Sequence, residues 1–161
     1  MVEEGTPAPD FELTSDAGES VRLAALRGQP VVLYFYPKDD TPGCTTQACG
    51  IRDAYGEFRR AGAVVLGVSP DDAASHSRFK QKYELPFTLL ADPDHAVAEE
   101  YGAWGDKTRY GKTYKGIIRS TFVIAPDGTV AKAMYNVKPD THADDVLAVL
   151  SASARDEAGT G

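Results

Sequence analysis

Cysteine is scarce in this sequence, with only two residues in a chain of 161. No window approaches the 18 consecutive apolar residues of a membrane span, so no membrane association is expected. The N-terminus carries acids and prolines where a secretory leader has basic residues and then an apolar run. These absences favour a soluble, cytoplasmic protein.

Clusters of basic residues are also missing. The chain has 17 Lys and Arg against 24 Asp and Glu, a formal net charge of -7. Such a surface repels phosphate backbones, because the long-range field has the same sign as the phosphates. Nucleic acid is therefore not expected as a partner.

The length and the 42% hydrophobic content fit one well-buried core and are too small for two comfortable domains. We expect a single domain over 1–161, with a small, polar tail at 152–161 that is frayed. In a reducing cytoplasm, two cysteines favour a catalytic, redox or metal-binding role over a structural disulfide.

Strand and helix patterns alternate along the chain. Apolar runs at 30–36 and 63–69 predict strands buried on both faces, and the helical pattern between them predicts a βαβ unit. Shorter patterns predict strands at 21–23, 120–125 and 129–135, and helices at 70–83 (capped by Ser69), 94–101 and 141–151. This order predicts an α/β domain, thioredoxin-like in outline, with a central mixed β-sheet in a three-layer α/β/α arrangement and an N-terminal extension.

The segment around the first cysteine predicts the start of a helix. Thr41 is a favoured N-cap residue, and Pro42 fits the first helical position because its missing N–H needs no partner there. An apolar stripe with helical spacing then leads to Gly62, which is placed to end the helix; its members are Cys44, Ala48, Ile51, Tyr55 and Phe58. Cys44 is therefore expected in the first turn at the carboxyl end of a central strand, where open α/β sheets place active sites. A helix N-terminus favours a thiolate there by about 0.3–1 kcal/mol.

Cys44 and Cys49 are too far apart to bond in an intact helix. Residues five apart in an ideal α-helix have Cα atoms about 8.6 Å apart, whereas a disulfide needs about 4.4–6.8 Å. A disulfide requires the first turns to unwind, while closing a loop of about six residues contributes roughly 2 kcal/mol at most. Gly43 and Gly50 bracket the segment, and each lowers helix stability by about 1 kcal/mol. The pattern favours a transient, catalytic disulfide over a structural one.

Together these residues resemble a known family. The motif Pro37-x-x-x-Thr41-x-x-Cys44, with Cys49 five residues later and a downstream Arg119-Ser-Thr-Phe-Val-Ile, resembles the peroxiredoxins. Within them it resembles the peroxiredoxin Q type, also called bacterioferritin comigratory protein. The likeness runs over nearly the whole chain, from Gly5-x-x-Ala8-Pro9-Asp10-Phe11 to the final helix. It implies a thiol peroxidase on a thioredoxin fold, without a metal or organic cofactor.

The resemblance also implies a role for each residue. Cys44 is the peroxidatic cysteine, which attacks the O–O bond of hydrogen peroxide or an organic hydroperoxide and becomes a sulfenic acid. Cys49 is the resolving cysteine, which forms an intramolecular disulfide that thioredoxin or glutaredoxin reduces. Thr41 hydrogen-bonds the peroxide and the thiolate, Arg119 supplies positive charge, and Pro37 shields the site from water. The resemblance further suggests a monomer or weak homodimer.

Each residue also has a simpler interpretation. A lone buried cysteine is more often inert than reactive, and Cys49 could be a spare thiol if resolution comes from outside. Thr41 could be only a helix cap, Pro37 only a strand terminator, and Arg119 only a solvated charge or ion-pair partner. For the whole protein, the alternatives are a thiol–disulfide oxidoreductase, which a C-x-x-C spacing would favour, and a redox-switched binding protein.

Three other groups are given no chemical role. His76, His95 and His142 lack metal-ligand spacing and are interpreted as ordinary surface residues. The stretch 102–116, rich in Gly, Lys and aromatic residues, is interpreted as a surface connection that could border the active site. Asp39 and Asp40 are interpreted as turn residues.

Overall fold

The computed structural model of the chain describes residues 2–160, apart from the side chains of residues 109 and 153–160. The described strands are β1 (Glu12–Ser15), β2 (Ser20–Arg22), β3 (Val31–Phe35), β4 (Val64–Ser69), β5 (Thr88–Ala91), β6 (Trp104–Arg109), β7 (Lys112–Ile117), β8 (Ser120–Ile124) and β9 (Val130–Tyr135). The described α-helices are α1 (Pro42–Asp53), α2 (Tyr55–Arg60), α3 (Ala73–Tyr83), α4 (Ala96–Glu100) and α5 (His142–Thr160). A short 3₁₀ helix spans Leu23–Leu26. None of the described helices is long and apolar enough to cross a membrane.

Seven of the strands form one mixed sheet in the order β2-β1-β5-β4-β3-β8-β9. β3 pairs in parallel with β4, from Val31 opposite Val64 to Phe35 opposite Val68, and β4 pairs in parallel with β5. β8 runs antiparallel to β3 on its other side and continues into β9. The predicted βαβ unit, central β3 and C-terminal hairpin are therefore confirmed, and β1 and β2 form an antiparallel N-terminal extension of the sheet.

β3 divides the core because its side chains alternate between the two faces of the sheet. Val32 and Tyr34 face one apolar cluster, which takes in buried residues of α1, α2, α3 and α5. Val31, Leu33 and Phe35 face a second cluster, built with α4, the 3₁₀ helix and β8. All five strand residues are buried, which explains why the strand is apolar without alternation. Helices and other chain segments cover both faces, which confirms the predicted three-layer arrangement.

The helix predicted to run from the Thr41 cap to Gly62 is interrupted. α1 ends at Asp53, Ala54 adopts φ −100° and ψ 10°, and α2 follows. The interruption redirects the chain without losing the buried stripe, since Cys44, Ala48, Ile51 and Phe58 all remain in the core. Gly62, at φ +72°, follows the last turn in the left-handed conformation that favours glycine.

Two other helix boundaries differ from the prediction. Ser69 does not cap a helix; it is the last residue of β4, and α3 begins at Ala73, where the Asp72 side chain accepts a hydrogen bond from Ser75 N at 2.8 Å. Asp72 sits at the N-cap because β4 pairs with β5 as far as Ser69, which keeps that residue in a strand. α4 is shorter than predicted, beginning at Ala96.

The last helix is longer than predicted, because no proline or glycine interrupts residues 152–158. α5 runs to Thr160 instead of ending near Ser151. The frayed tail predicted for 152–161 stays a prediction, since residue 161 and the side chains of 153–160 lie outside the described part of the chain.

The stretch 102–116 is a β-hairpin, which corrects the interpretation as a loop. β6 and β7 pair antiparallel from Trp104 opposite Ile117 to Arg109 opposite Lys112. The two turn residues, Tyr110 at φ +52° and Gly111 at φ +76°, both have the positive φ that tight hairpins require. The hairpin escaped sequence analysis because its strands carry few apolar residues and its turn begins with tyrosine, an unusual residue at positive φ.

The histidines are not all surface residues, which corrects a second interpretation. His76 and His142 are completely buried. His95 is partly exposed, and its ring stacks on Trp104 with a centroid distance of 3.7 Å. Both ring nitrogens of His76 have hydrogen-bond partners, which lowers the cost of its burial, whereas His142 has a partner at Nε2 and none at Nδ1 among the described residues.

Candidate active site

The junction between β3 and α1 places Cys44 at the carboxyl edge of the sheet. Thr41 occupies the N-cap position with extended backbone (φ −100°, ψ 156°), and Pro42 starts the helix, as predicted. Cys44 follows in the first turn and is only 2% exposed. Its sulfur therefore lies near the unpaired N–H groups of a helix N-terminus, where negative charge is favoured.

Arg119, just before β8, contacts the sulfur of Cys44. Its Nη2 lies 3.5 Å from Cys44 Sγ, and its Nη1 donates a 2.6 Å hydrogen bond to Gln47 Oε1. The backbone carbonyl of Arg119 accepts a hydrogen bond from Val137 N at 3.0 Å, which fixes the residue just before β8. The structure thus brings together two predicted site residues that are 75 positions apart in the chain. The interpretation of Arg119 as a merely solvated charge does not fit this geometry.

Gln47 belongs to this arrangement although sequence analysis did not single it out. It lies on the same face of α1 as Cys44, one turn later, and is completely buried. Its oxygen accepts the Arg119 hydrogen bond, while its Nε2 has no hydrogen-bond partner among the described residues. Gln47 therefore orients the guanidinium towards the sulfur. The sequence feature that could have identified Gln47 is a polar residue at a helix position that faces the core.

Gly43 provides the space that the guanidinium occupies. A Cβ at this position would meet Arg119 Nη2 at 3.1 Å and Pro139 Cγ at 3.6 Å. The first distance is shorter than ordinary van der Waals contact, so any side chain here would push Arg119 away from its observed place. Gly43 therefore has a packing role at the site in addition to its effect on helix stability.

The two cysteines are both free, and α1 is continuous across them. Cys44 is buried, whereas Cys49 is partly exposed. A continuous α-helix keeps residues five apart beyond disulfide distance, so the structure has the form expected of the reduced protein. Gly50, next to Cys49, lies against α5, where its Cβ would meet Ala143 Cβ at 3.9 Å.

Thr41 and Pro37 lie on the loop that leads into α1. The Thr41 hydroxyl does not cap the helix; it donates a 2.9 Å hydrogen bond to the Lys38 carbonyl, which closes the loop on itself. Pro37 is partly buried shortly after β3. Thr41 lies three positions and Pro37 seven positions before Cys44 in the chain. Their roles in binding peroxide and excluding water stay predictions.

Two further ionisable groups lie within electrostatic range of Arg119. The pKa of Lys107 in β6 is lowered by burial and by the charge of Arg119, while Cys44 acts in the opposite direction. Burial lowers the pKa of His142 to about 4, with Asp145 opposing and Arg119 adding to the shift. His142 is therefore neutral near pH 7, with its Nε2 2.6 Å from Thr121 Oγ1. Lys107 of the β6–β7 hairpin is thus within electrostatic range of Arg119 and Cys44, and the suggestion that the stretch 102–116 borders the site stays a prediction.

One group among the described residues has the composition of a metal site. Potential ligand atoms of Asp39, Asp71 and His76 lie within 4.8 Å of one another. These atoms already bond one another or nearby groups: His76 Nδ1 lies 2.7 Å from Asp39 Oδ2, and Asp71 Oδ2 accepts from Asp39 N at 2.7 Å. The group is therefore better described as a hydrogen-bonded cluster than as a cation site.

Residues 5–133 match the family model described as the AhpC/TSA family. The chain belongs to the AhpC/TSA family. Peroxiredoxin Bcp of Bacillus subtilis (strain 168) is 48% identical to it over 149 residues, which cover 92% of this chain and 95% of that protein. Peroxiredoxin Bcp of Escherichia coli (strain K12) is 49% identical over 143 residues, which cover 89% and 92%. These relatives confirm the resemblance to the peroxiredoxins. The chain is therefore an enzyme of the thiol peroxidase class.

A solved structure of the bacterioferritin comigratory protein of Xanthomonas campestris, concerned with the alkyl peroxide reduction activity of that protein, has the same fold. The TM-score is 0.88 at 40% sequence identity, and the match covers 94% of this chain and 99% of that one. The predicted thioredoxin-like peroxiredoxin fold is therefore confirmed for this AhpC/TSA member.

Proposed function

We propose that this peroxiredoxin reduces hydrogen peroxide and organic hydroperoxides through Cys44, resolves the product through Cys49, and is recycled by thioredoxin. The observation that carries the proposal is the 3.5 Å approach of Arg119 Nη2 to Cys44 Sγ in the first turn of α1. A cation and a helix N-terminus both favour the thiolate, which is the nucleophilic form of cysteine.

In the first step, the Cys44 thiolate attacks one peroxide oxygen and the O–O bond breaks. The sulfur gains that oxygen and becomes a sulfenic acid, while the other oxygen takes a proton and leaves as water or an alcohol. Negative charge moves from sulfur to the leaving oxygen, so donors aimed at both stabilise the transition state more than the ground state. Arg119 suits this step because its planar fork offers several donors and keeps its charge.

In the second step, the Cys49 thiol attacks the sulfur of the sulfenic acid, and water leaves as the disulfide forms. Because α1 holds the two residues beyond bonding distance, the turn between them must unwind first. Thioredoxin then reduces the disulfide by thiol–disulfide exchange, its own dithiol becoming a disulfide. The partial exposure of Cys49 supports access of such a donor.

A coupled assay with thioredoxin, its reductase and NADPH tests the proposal. Peroxide should drive continuous NADPH oxidation, and Cys44→Ser should abolish it. Parallel reactions with glutaredoxin and with several hydroperoxides identify the reductant and the preferred substrate. Consumption of a single equivalent of peroxide per reduction would instead indicate a redox-switched binding protein.

A further inference from the structure

A buried polar cluster connects the loop before Cys44 to α3. Asp39, on that loop, accepts hydrogen bonds from Tyr36 OH at 2.5 Å and from Ser75 Oγ at 2.8 Å. Its Oδ2 also lies 2.7 Å from His76 Nδ1 in α3, and both side chains are almost fully buried, 4% and 0% exposed. The bonds of this cluster therefore run from the loop to α3.

The two neighbours of the His76 ring indicate its charge. Nε2 lies 2.8 Å from the Leu90 carbonyl, which can only accept, and Nδ1 faces the Asp39 carboxylate. A neutral imidazole has one N–H, so both contacts are hydrogen bonds only if the ring is an imidazolium. Burial lowers the pKa of His76, but the hydrogen bond and charge of Asp39, the Leu90 carbonyl and the charge of Asp71 outweigh it, and the net pKa is raised.

We infer that the buried Asp39–His76 ion pair positions the loop 37–41, and with it the first turn of α1 that carries Cys44. This inference rests on the proposed role of Cys44. The loop carries both Pro37 and Thr41, so an anchor at Asp39 fixes the two residues predicted to surround the peroxide. His76 is a positioning residue, since it acts through Asp39 and makes no contact with the sulfur.

The residue after Asp39 attaches the loop to α3 a second time. Asp40 has φ +58°, and its carboxylate accepts hydrogen bonds from Lys82 Nζ and Tyr83 OH, both at 2.7 Å. This attachment is exposed, so it is expected to contribute much less than the buried pair. Both attachments precede α1 in the chain. Unwinding between Cys44 and Cys49 can therefore proceed while the loop keeps its place, and the helix rewinds from a fixed start.

The ion pair gives the loop a defined dependence on pH. The folded pKa of His76 lies above the ordinary value of about 6.5, so the stabilisation is fully present below pH 6.5. It is lost as pH rises through the folded pKa, because the ring gives up one N–H and its positive charge, and with them one of its two hydrogen bonds and the ion pair with Asp39. The charged groups that shift the pKa of His76 are Asp39, from the loop after β3, and Asp71, from the segment after β4.

The first test is nitrogen NMR of the reduced protein labelled with ¹⁵N-histidine. Both ring nitrogens of His76, assigned by their loss in His76→Gln, should carry protons in most molecules at pH 6.5, where an ordinary histidine is only half protonated. A ring that is mainly neutral at pH 6.5 would overturn the inference. This measurement is independent of peroxidase activity, and it can be made on the wild-type protein alone if the ring signals are assigned through bonds.

The second test is the rate of Cys44 alkylation by iodoacetamide between pH 6 and 9.5, with single-turnover oxidation by peroxide measured in parallel. In the wild type, both rates should change at least threefold at the pH where NMR shows His76 to be half protonated. In His76→Gln, oxidation of Cys44 by peroxide should be about tenfold slower, and neither rate should show that change with pH. Lys80→Met, which removes a cation of α3 that pairs with Asp16 after β1, should keep it. The same change retained in folded His76→Gln would refute the positioning role, whereas absence of peroxide turnover with an intact change in the alkylation rate would count against the proposed function alone.

Discussion

Gly43→Ala separates the packing role of this glycine from its effect on the helix. The new Cβ would lie 3.1 Å from Arg119 Nη2, a few tenths of an ångström inside ordinary contact. The guanidinium must move away, which lengthens or misaligns a contact to Cys44 Sγ that is already 3.5 Å. Hydrogen bonds to charged groups contribute about 1.5–3 kcal/mol, so a partial loss of about 1 kcal/mol predicts a fivefold to tenfold slower reaction with peroxide. Alanine in a helix is also more favourable than glycine by up to about 1 kcal/mol. The free energy of unfolding should therefore fall by less than the activation free energy of the peroxide reaction rises.

Gly56→Ala is the matched control, because Gly56 lies in α2 and a Cβ there meets nothing within 4 Å. It should raise the free energy of unfolding by about 0.5–1 kcal/mol and leave the rate unchanged. Urea denaturation gives the free energies, and stopped-flow oxidation of the reduced protein gives the rates. Equal rates for Gly43→Ala and the wild type would refute the claim that the space at Gly43 sets the position of Arg119.

Three further predictions follow from the site. Cys49→Ser should still form the Cys44 sulfenic acid but cycle poorly with thioredoxin; unaltered cycling in the coupled assay would reveal an external resolving thiol. Arg119→Lys should slow Cys44 oxidation at least tenfold, because a single ammonium cannot contact Gln47 and the sulfur together as the fork does; an unchanged rate constant would remove Arg119 from the site. His142, with a pKa lowered to about 4, should make the free energy of unfolding fall by roughly 2–4 kcal/mol as pH drops from about 6.5 to 4, because the unfolded chain binds a proton there that the folded chain does not. His142→Gln should flatten that acid limb in thermal unfolding, and an identical limb would contradict the assignment.

Local sequence patterns predicted the parts of the fold that local physics decides. The apolar run at β3, the Thr41-Pro42 helix start and the turn between β8 and β9 each follow from a few adjacent residues. The buried stripe of α1 and α2 also survived the interruption at Ala54, because helical spacing determines which side chains face the core. Cys44 and its position in the first turn were accessible from the sequence for the same reason.

The parts that sequence analysis missed depend on contacts between distant segments. Gln47 is explained only by Arg119, which lies 72 residues away, and His76 is buried only because Asp39 and Leu90 face its ring. The role of Gly43 depends on the guanidinium that fills the space beside it. The hairpin of β6 and β7 turns at Tyr110 and Gly111, which both have positive φ. Because tyrosine is unusual at positive φ, residue 110 did not indicate a turn.

The most direct test is peptide mapping of the fully reduced protein after brief exposure to one equivalent of hydrogen peroxide, with and without a trap for sulfenic acids. The trap should label Cys44 and leave Cys49 unlabelled, and without the trap the two residues should be joined by an intramolecular disulfide. Recovery of both cysteines as unmodified thiols, or a trap label on Cys49 alone, would contradict the assignment of Cys44 as the peroxidatic residue.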